Sequence, residues 1–455
     1  MSSKPSLPRG MRDFGPEKMA KRNYIFNNIK SVFDKYGFMQ IETPAMENLS
    51  TLTGKYGDEG DQLLYKVLNS GDFLTKTSDE DLNKGSKSLA PKIASKGLKY
   101  DLTVPFARFV VMNRNDISLP FKRFQIQPVW RADNPQKGRY REFYQCDADV
   151  VGTKSLLCEA EIVLMINEVF AGLGVKDYSI KMNSRKVLKG LVEILGASDK
   201  ETDFLVAIDK LDKMGIQKVK EELVLKEFDE VMIAQTENLL SISGNNNNVL
   251  ENLDQLLSSS EIGSQGLREI KKILGYLKSL NLRDTHLEID PTLARGLSYY
   301  TGAIFEVKVN NVKIGSVSGG GRYDDLTGVF GMPDISGVGF SFGVDRIYDV
   351  MEELDLFPEN IANTTNVLIA HFDHESQQYG LPILKKIRDA GLSCELYPDV
   401  VKIKKQFSYA DKKGIPFVII IGSNEMSSGQ LKLKDLYSGE ESTGDVDSLI
   451  RKVLH

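Results

Sequence analysis

Three arginines stand at positions where the sequence shows no structural need for a cation. Arg131 follows the only tryptophan at the end of a predicted strand, Arg295 stands in "LARGLSYYTG", and Arg346 follows the glycine-rich "GVGFSFGVD". Each alone could form an ordinary salt bridge. Together, at strand ends beside glycines, they favour polyphosphate binding, because a guanidinium offers a planar fork of donors that matches phosphate oxygens. The sequence has no GxxxxGK[ST] motif, so side chains must supply these contacts.

Acidic and amide side chains predict a second small ligand that is either cationic or carries N–H groups. Asp101 in "YDLTVPF" and Asp149 in "DADV", with Gln145 nearby, show no metal-binding spacing. Tyr299 and Tyr300 fit either a ligand pocket or a hydrophobic core. The run "GSVSGGGRYDDLTG" fits either a tight hairpin turn or a place where the backbone approaches a small ligand.

Two neighbouring strands within residues 121–152 are predicted to position most of these groups. The pattern of the first strand places these residues on one face: Arg123, Gln125, Gln127 and Arg131. The second strand does the same for Arg141, Phe143, Gln145, Asp147 and Asp149. A polar face on two adjacent strands needs water or a ligand against it.

The surrounding pattern predicts a β-rich domain interrupted by helices. An amphipathic helix is expected over 17–36, followed by the strand "FMQIETPAM". The polar, lysine- and serine-rich stretch 68–97 is interpreted as a surface insertion, and extended segments are expected over 98–152. Helical patterns occupy 186–282, with "SGNNNN" as a loop between them, and strand patterns return over 286–343.

The last ninety residues follow a linker, "FPENIANTTN", and alternate between apolar strands and helices. This alternation predicts a small α/β domain with a largely parallel sheet. Lysines in "VKIKKQ" and "ADKKG" form either a solvated helix face or a patch that follows phosphates.

The composition excludes several classes of protein. A chain of 455 residues predicts two to four domains, and 41% hydrophobic with 27% charged residues is typical of a globular protein. No apolar run reaches the length of a membrane span, and the first residues lack the apolar core of a secretory signal. Three distant cysteines and four histidines fit neither a disulfide framework nor a histidine-rich metal centre. The net charge of −5 does not decide nucleic-acid binding, since local patches do.

Several segments give the chain a close resemblance to the histidyl-tRNA synthetase family, within the class II aminoacyl-tRNA synthetases. The resemblance covers most of the chain outside 68–97, and the pair "RGLSYYTG" and "GGGRYD" is its most specific part. It rests on these segments: "PRGMRDFGP", "YDLTVPFAR", "WRADNPQKGRYREFYQCDADV", "LARGLSYYTG", "GSVSGGGRYD" and "GVGFSFGVDRI".

The resemblance implies an α+β fold: a class II antiparallel-sheet catalytic domain with a helical insertion, plus a C-terminal α/β anticodon-binding domain. The implied boundaries are 1–185 with 286–355 for the catalytic domain, 186–285 for the insertion, 356–365 for a linker and 366–455 for the anticodon-binding domain. The implied activity is ATP-dependent formation of histidyl-adenylate and transfer of histidine to the 3′ end of tRNA(His).

The resemblance also assigns the arginines to ATP. Arg131 is implied to bind the α-phosphate and bridge to the amino-acid carboxylate, and Arg346 to contact the γ-phosphate. Arg139 and Arg141 would hold the rest of the triphosphate and the tRNA end. Arg295 would stabilise the α-phosphoryl group and contact histidine, a task that other class II enzymes give to a metal ion. Mg²⁺ is expected to arrive with ATP, with no protein motif for a metal.

The pocket for histidine is implied by the same family pattern, with side chains for its amino group and ring. The implied residues are Asp101, Thr103, Gln145, Asp149, Tyr300 and Tyr323. Two positions depart from the pattern: Ser298 stands where many relatives carry an acid, and Asp345 replaces a glutamate before Arg346.

Further expectations concern partners and location. The family analogy implies a homodimer formed through roughly 17–44, an insertion that grips the tRNA acceptor arm, and a cytoplasmic enzyme with a possible organellar pool. Two alternatives stay open: a non-catalytic relative that regulates another protein, and a class II synthetase for another amino acid. Retention of all the phosphate arginines disfavours the first, and "RGLSYYTG" disfavours the second.

Overall fold

A computed structural model describes residues 4–54, 57–282, 286–294, 299–359, 361 and 365–454. The chain forms two compact units. The first contains the residues up to Phe14 and Arg22–Leu356, and the second contains Gly15–Lys21 and the residues from Phe357 onward. The helical block expected at 186–285 falls within the first unit.

The first unit contains the helices and strands up to residue 356. Its strands are β1 (Met39–Gln40), β2 (Met46–Asn48), β3 (Lys66–Val67), β4 (Lys96–Leu98), β5 (Phe121–Trp130), β6 (Glu142–Val151), β7 (Tyr178–Ser184), β8 (Leu287–Ile289), β9 (Ala303–Val309), β10 (Ser318–Tyr323) and β11 (Gly337–Gly343). Its α-helices are α1 (Pro16–Lys35, shared with the second unit), α2 (Leu49–Leu52), α3 (Gly57–Gln62), α4 (Asp79–Asn83), α5 (Ser86–Ile93), α6 (Thr103–Met112), α7 (Leu157–Gly172), α8 (Arg185–Ile194), α9 (Glu201–Asp209), α10 (Leu211–Leu225), α11 (Glu230–Leu240), α12 (Asn246–Leu256), α13 (Glu261–Ser279) and α14 (Val344–Glu353).

An eight-stranded sheet forms the centre of this unit, in the order β1-β5-β6-β11-β10-β9-β7-β8. The six inner strands pair antiparallel, and β1 and β8 pair parallel with their neighbours. This is the antiparallel catalytic sheet that the class II resemblance implies.

The two faces of the sheet differ in polarity because side chains alternate along each strand. On one face Phe124 of β5 and Phe342 of β11 lie 5.4 and 6.0 Å, ring to ring, from Phe33 of α1. The opposite face carries Gln145 and Asp147 of β6, as the sequence predicts. Helices therefore cover the apolar face, and the polar face is left for a ligand.

The segment before β5 differs from the sequence expectation in three places. "FMQIETPAM" contains only the two-residue strand β1, and β2 begins after Pro44 in a small sheet of order β2-β4-β3. The stretch 68–97, interpreted as a surface insertion, contains α4 and α5 and most of β4. A capping box at Ser78 and Asp81 begins α4, so polar residues here are helix caps.

Residues 98–152 were expected to be mainly extended, but α6 occupies Thr103–Met112. The carboxylate of Asp101 accepts a hydrogen bond from the N–H of Val104, 3.1 Å away, and Pro105 lies in the first turn. A side-chain acceptor and an early proline both favour a helix start, and here they outweigh the β propensity of the valines.

The helical block is confirmed, and it has more helices than the pattern indicated. Helices α8, α9, α12 and α13 match the four segments with the clearest helical pattern, "KVLKGLVEIL", "DFLVAIDKL", "NVLENLDQLL" and "LREIKKILGYLKSL", and α10 and α11 lie between the second and third of them. The "SGNNNN" loop is shorter than expected, because Asn245 accepts a hydrogen bond from the N–H of Asn248 and so begins α12.

The second unit is a small α/β domain, as predicted. It contains β12 (Val367–His371), α15 (His374–Asp389), β13 (Cys394–Leu396), α16 (Ile403–Lys413), β14 (Phe417–Ile421), α17 (Ser423–Ser428), β15 (Leu431–Asp435), β16 (Glu441–Gly444) and α18 (Val446–Leu454). The strand order is β13-β12-β14-β15-β16, with parallel pairs only among the first three. The expected largely parallel sheet is therefore half antiparallel, because "LKLKD" alternates as a one-sided strand.

Candidate active site

A cavity of about 330 Å³ lies on the polar face of the central sheet. Its walls come from β6, β9, β10 and β11, from the start of α6 and from the start of α14. Nine residues predicted from the sequence line it: Asp101, Thr103, Arg131, Arg139, Gln145, Asp149, Tyr300, Tyr323 and Arg346. Among the predicted residues that the structure describes, Arg141 alone is outside this lining. Arg295 lies outside the described residues, and so does Ser298, one of the two positions that depart from the family pattern.

Arg131 is held at one end of the cavity by two aromatic rings and a main-chain carbonyl. Its Nε donates to the carbonyl oxygen of Tyr100 at 3.0 Å. Its guanidinium carbon lies 4.2 Å from the ring centroid of Tyr100 and 5.2 Å from that of Phe143. Stacking of this kind orients the planar fork of an arginine that lines the cavity.

The loop between β5 and β6 carries two more of the predicted arginines, Arg139 and Arg141. Nε of Arg139 lies 3.2 Å from a carboxylate oxygen of Asp133, and the Arg139 side chain is half exposed. Arg141 donates through Nε to the carbonyl of Asp133 at 3.0 Å and through Nη1 to that of Arg9 at 3.4 Å. Arg139 therefore reaches the cavity, whereas Arg141 fastens the loop.

Arg346 approaches the same end from the first turn of α14. Its guanidinium donates to two main-chain carbonyls, those of Gly138 at 2.7 Å and Ser316 at 2.5 Å. The preceding Asp345 is buried and pairs with Arg12 and Arg22, and it also accepts the N–H of Tyr144 at 3.1 Å. Asp345, which is shorter than the glutamate of the family pattern, thus fixes the start of α14.

The opposite end of the cavity is acidic and contains a buried ion pair. Nη2 of Arg123 lies 2.8 Å from Oδ2 of Asp149, and the hydroxyl of Tyr323 donates to Oδ1 at 2.7 Å. A Cβ on Gly339 of β11 would lie 1.9 Å from the same carboxylate, so only glycine leaves room for it. Burial raises the pKa of Tyr323 well above its usual value, which keeps its hydroxyl a donor.

Gln145 and Asp147 lie between these two ends on β6. Nε2 of Gln145 donates to the hydroxyl of Ser341 at 3.1 Å. Burial raises the pKa of Asp147 to about 7; the charge of Arg123 opposes that shift and the charge of Asp149 adds to it. The amide oxygen of Gln145 and Oδ1 of Asp147 are buried, and no partner for them exists among the described residues. The floor of the cavity is therefore rich in acceptors.

A third carboxylate, Asp101, closes the wall at the start of α6, with Thr103 as the first helical residue. The hydroxyl of Tyr299 lies 3.5 Å from Oδ2 of Asp101. Burial raises the pKa of Tyr300 above its usual value, so its hydroxyl is protonated at neutral pH. Both tyrosines line the cavity, and both also pack against a cluster of buried core residues, so the structure supports both the pocket and the core interpretation.

The glycine run forms a strand in the middle of the sheet. Gly320 of β10 pairs with Phe340 of β11, and an added Cβ would lie 2.1 Å from the carbonyl oxygen of Gly339. The glycines thus allow close approach between neighbouring strands, and the run forms a strand rather than a tight turn. Close approach of this backbone to a small ligand stays a prediction.

Sequence reasoning gave no role to two residues of the candidate site, one of them in the cavity lining and the other in the ion pair behind it. Arg123 and Asp147 were both placed on the polar strand face, but neither was assigned a role. Their signal was the alternation itself: an arginine and an aspartate directed to the same face as the predicted binding residues.

The arrangement joins a cationic end to an acidic end on one rigid sheet. Arg131, Arg139 and Arg346 suit phosphate oxygens, and the carboxylates and amide oxygen suit ammonium and ring N–H groups. Within the described ranges, no group of three or more His, Cys, Asp or Glu side chains is arranged to hold a metal ion. None of the described helices has the length and apolar character needed to cross a membrane.

Two family models match the sequence over separate parts. The model described as histidyl-tRNA synthetase matches residues 67–347. The model described as an anticodon binding domain matches residues 365–455.

Full-length relatives and solved structures agree with these matches. The histidine–tRNA ligase of Cytophaga hutchinsonii is 57% identical, with 99% of this chain and 100% of the relative covered. That of Phocaeicola vulgatus is 56% identical over 100% of both chains. A crystal structure of histidyl-tRNA synthetase from Nostoc sp. PCC 7120 has a TM-score of 0.84 at 31% identity, covering 100% of this chain and 99% of that chain.

Proposed function

This chain belongs to the histidyl-tRNA synthetase family, and we propose that its cavity is where histidine and ATP react. The enzyme charges tRNA with histidine, as its full-length relatives do. Identity to ligases over 99% of the chain sets aside both a regulatory protein and a synthetase for another amino acid.

The observation that carries the proposal is the polarity of the cavity along β6. Phe143 lies beside Arg131 at the cationic end. Asp149 lies six residues further along the same strand, on the same face. A strand advances about 3.4 Å per residue, so the ends are about 20 Å apart. That length suits an amino acid joined end to end with a nucleotide.

In the first step a carboxylate oxygen of histidine attacks the α-phosphorus of ATP, and pyrophosphate leaves as the adenylate forms. The carboxylate is already ionised at neutral pH, so this step needs no general base. Positioning and charge stabilisation dominate such a phosphoryl transfer. We propose that Arg131 binds the α-phosphate and that Arg139 and Arg346 hold the outer phosphates. In the second step a ribose hydroxyl of tRNA attacks the adenylate carbonyl, and AMP leaves.

Histidine would occupy the acidic end, with Asp101, Thr103 and Gln145 near its amino group. Asp149, Tyr300 and Tyr323 would surround its ring. For Arg295 we keep the family role at the α-phosphoryl group, and for Arg141 the role of holding the loop that carries Arg139. A buried polar pocket discriminates against isosteres that leave its groups unpaired, so no editing activity is needed.

ATP and Mg²⁺ are the proposed cofactors. The three arginines fit a triphosphate, and Asp133 and Glu306 lie in the same lining. Mg²⁺ bound to ATP would neutralise phosphate charge during the attack. The described residues fit a metal that arrives with the nucleotide, since no acidic, histidine or cysteine cluster forms a separate site among them.

Further proposals concern the rest of the molecule. We propose that the helices of 186–285 form an insertion that contacts the acceptor arm, and that residues 366–455, after a linker at 356–365, read the anticodon of tRNA(His). A homodimer formed through the region of α1 and the following strand, and a cytoplasmic location, stay predictions.

Separate effects on the two substrates test the proposed site. Gln145→Ala should raise KM for histidine about tenfold in pyrophosphate exchange, because one hydrogen bond to a charged group is lost. Arg346→Ala should raise KM for ATP instead. Glu142→Gln removes a carboxylate from the exposed start of the same strand and should change neither constant. If each variant raised both constants equally, this division of the cavity would be wrong.

A further inference from the structure

Asp147 is a buried carboxylate in the middle of the cavity that the described residues do not fully satisfy. Its residue is 2% exposed and lines the cavity between Gln145 and Asp149. No hydrogen-bond partner of its Oδ1 exists in the part of the chain that the structure describes.

The nearby cation, Arg123, forms its ion pair with a different carboxylate, that of Asp149. Arg123 directs Nη2 to Asp149 at 2.8 Å, and it also donates to the carbonyl of Leu102 at 3.4 Å. Across the sheet, Asp147 is paired with Gln125 of β5 and Ser341 of β11, both neutral. Asp147 therefore lacks an ion-pair partner among the described residues, although Arg123 acts on it through space.

A buried charge without a partner destabilises a folded protein unless a ligand supplies the missing donor. Burial raises the pKa of Asp147 to about 7 because it disfavours the ionised form, although a hydrogen bond with the Ser341 side chain acts in the opposite direction. A purely structural residue at this position would gain from being neutral. Retaining an acid here points to a bound group with N–H donors.

We propose that Asp147 is a further histidine-binding residue whose Oδ1 accepts a hydrogen bond from an N–H group of the bound amino acid. This rests on the proposed placement of histidine at the acidic end of the cavity. Alternate residues of a strand are about 6.8 Å apart, so a ligand held by both Gln145 and Asp149 must pass over Asp147.

The charges of the pocket agree with this role. Asp101, Asp147 and Asp149 carry three negative charges when ionised, against one positive charge on Arg123. Histidine brings an ammonium group and a ring that donates through nitrogen, and both are attracted to an excess of carboxylates.

The variant Asp147→Asn tests this role, because it removes the charge and keeps the shape. We expect its dissociation constant for histidine, measured by calorimetry without ATP, to rise about 10- to 100-fold, as for loss of a hydrogen bond to a charged group. KM for ATP should stay within about threefold of the wild type. Glu142→Gln, a matched loss of one carboxylate from the exposed start of β6, should bind histidine as the wild type does.

Thermal unfolding separates a binding role from a structural one. Without histidine, Asp147→Asn should melt at the wild-type temperature or above, since it relieves an unpaired buried charge. Saturating histidine should raise its melting temperature less than that of the wild type. A variant that melts lower without ligand, or that binds histidine within threefold of the wild type, would overturn the inference. If histidine failed to stabilise even the wild type, the proposed site itself would be wrong.

Discussion

At the scale of single residues, the arginine that we place on the α-phosphate is oriented before any ligand binds. The Nε of Arg131 donates a hydrogen bond to the carbonyl of Tyr100, and the guanidinium stacks against the rings of Tyr100 and Phe143. These contacts fix the plane of the guanidinium, so little reorganisation is needed at the transition state. A lysine could keep the charge but neither the fork nor the stacking.

We therefore expect Arg131→Lys to lower kcat of histidine-dependent pyrophosphate exchange by about 10²- to 10³-fold. The exposed Arg114, in the turn after α6, offers a matched control. Arg114→Lys should leave kcat unchanged. Equal rates for both variants would remove Arg131 from the proposed mechanism.

The raised pKa of Asp147 also predicts a pH effect on stability. The group binds a proton in the folded state up to about pH 7 but in the unfolded state only up to about pH 3.8, its ordinary pKa. Its contribution to stability is therefore present below about pH 4 and is lost as the pH rises towards 7. The variant Asp147→Asn has no titrating group at this position, so it does not lose this stability as the pH rises.

Without histidine, the melting temperature of Asp147→Asn relative to the wild type should therefore increase from pH 5 to pH 8. Differential scanning calorimetry of both proteins at the two pH values measures this difference. A difference that does not change with pH would mean that Asp147 titrates normally.

At the scale of elements, close packing of β10 against β11 shapes the cavity floor. A Cβ at Gly320 would lie 2.1 Å from the carbonyl oxygen of Gly339 and 2.7 Å from Cα of Phe340. Both neighbours are backbone atoms of a central strand, so neither can move without disturbing the ladder. At Gly319 the nearest atom, the carbonyl oxygen of Phe305, would be 3.3 Å away.

Gly320→Ala should therefore destabilise the first unit by about 1–3 kcal/mol, the usual range for overpacking. Gly319→Ala should have a much smaller effect. Chemical denaturation followed by tryptophan fluorescence of Trp130 reports on this unit. Equal destabilisation by the two alanines would show that strand spacing does not limit this position.

Helices and strands in which polar and apolar residues recur with a clear period were predictable from the sequence. Helices that depend on a capping side chain at their start were less predictable. The polar faces of β5 and β6 follow directly from alternation, and α14 follows from the glycine-rich strand before it. Helix α6 was missed because its valines suggest a strand, while the capping carboxylate of Asp101 acts from outside the helix. The antiparallel sheet was implied only by the family resemblance, and its strand order was not predicted, since no local pattern encodes which distant strands pair.

The same division applies to the candidate site. The sequence indicated which residues share a face, and most of them line one cavity. It could not show that Arg123 pairs with Asp149 and leaves Asp147 without an ion-pair partner among the described residues, because that depends on side-chain distances between two neighbouring strands.

At the scale of the whole molecule, we propose that the second unit contributes tRNA binding rather than chemistry. Lys404 and Lys405 of α16 are exposed and have no acidic partner among the described residues. Lys432 and Lys434 of β15 instead lie 3.6 and 3.3 Å from oxygens of Glu441. Unpaired lysines are the better candidates for phosphate contacts.

The double variant Lys404→Ala with Lys405→Ala should raise KM for tRNA about tenfold in aminoacylation and weaken its salt dependence. Lys432→Ala with Lys434→Ala removes the same charge and should have a smaller effect. Pyrophosphate exchange without tRNA should stay unchanged in both. Loss of exchange in the first variant would contradict this division of labour.

The most direct test of the central claim is pyrophosphate exchange into ATP by the wild-type enzyme without tRNA, with histidine compared against other amino acids. The proposed cavity predicts rapid exchange with histidine and a preference over phenylalanine of about 10⁴-fold or more, because a pocket of buried acceptors rejects a ring without N–H groups. Absence of exchange with histidine, or comparable exchange with phenylalanine, would contradict the proposal that this cavity activates histidine.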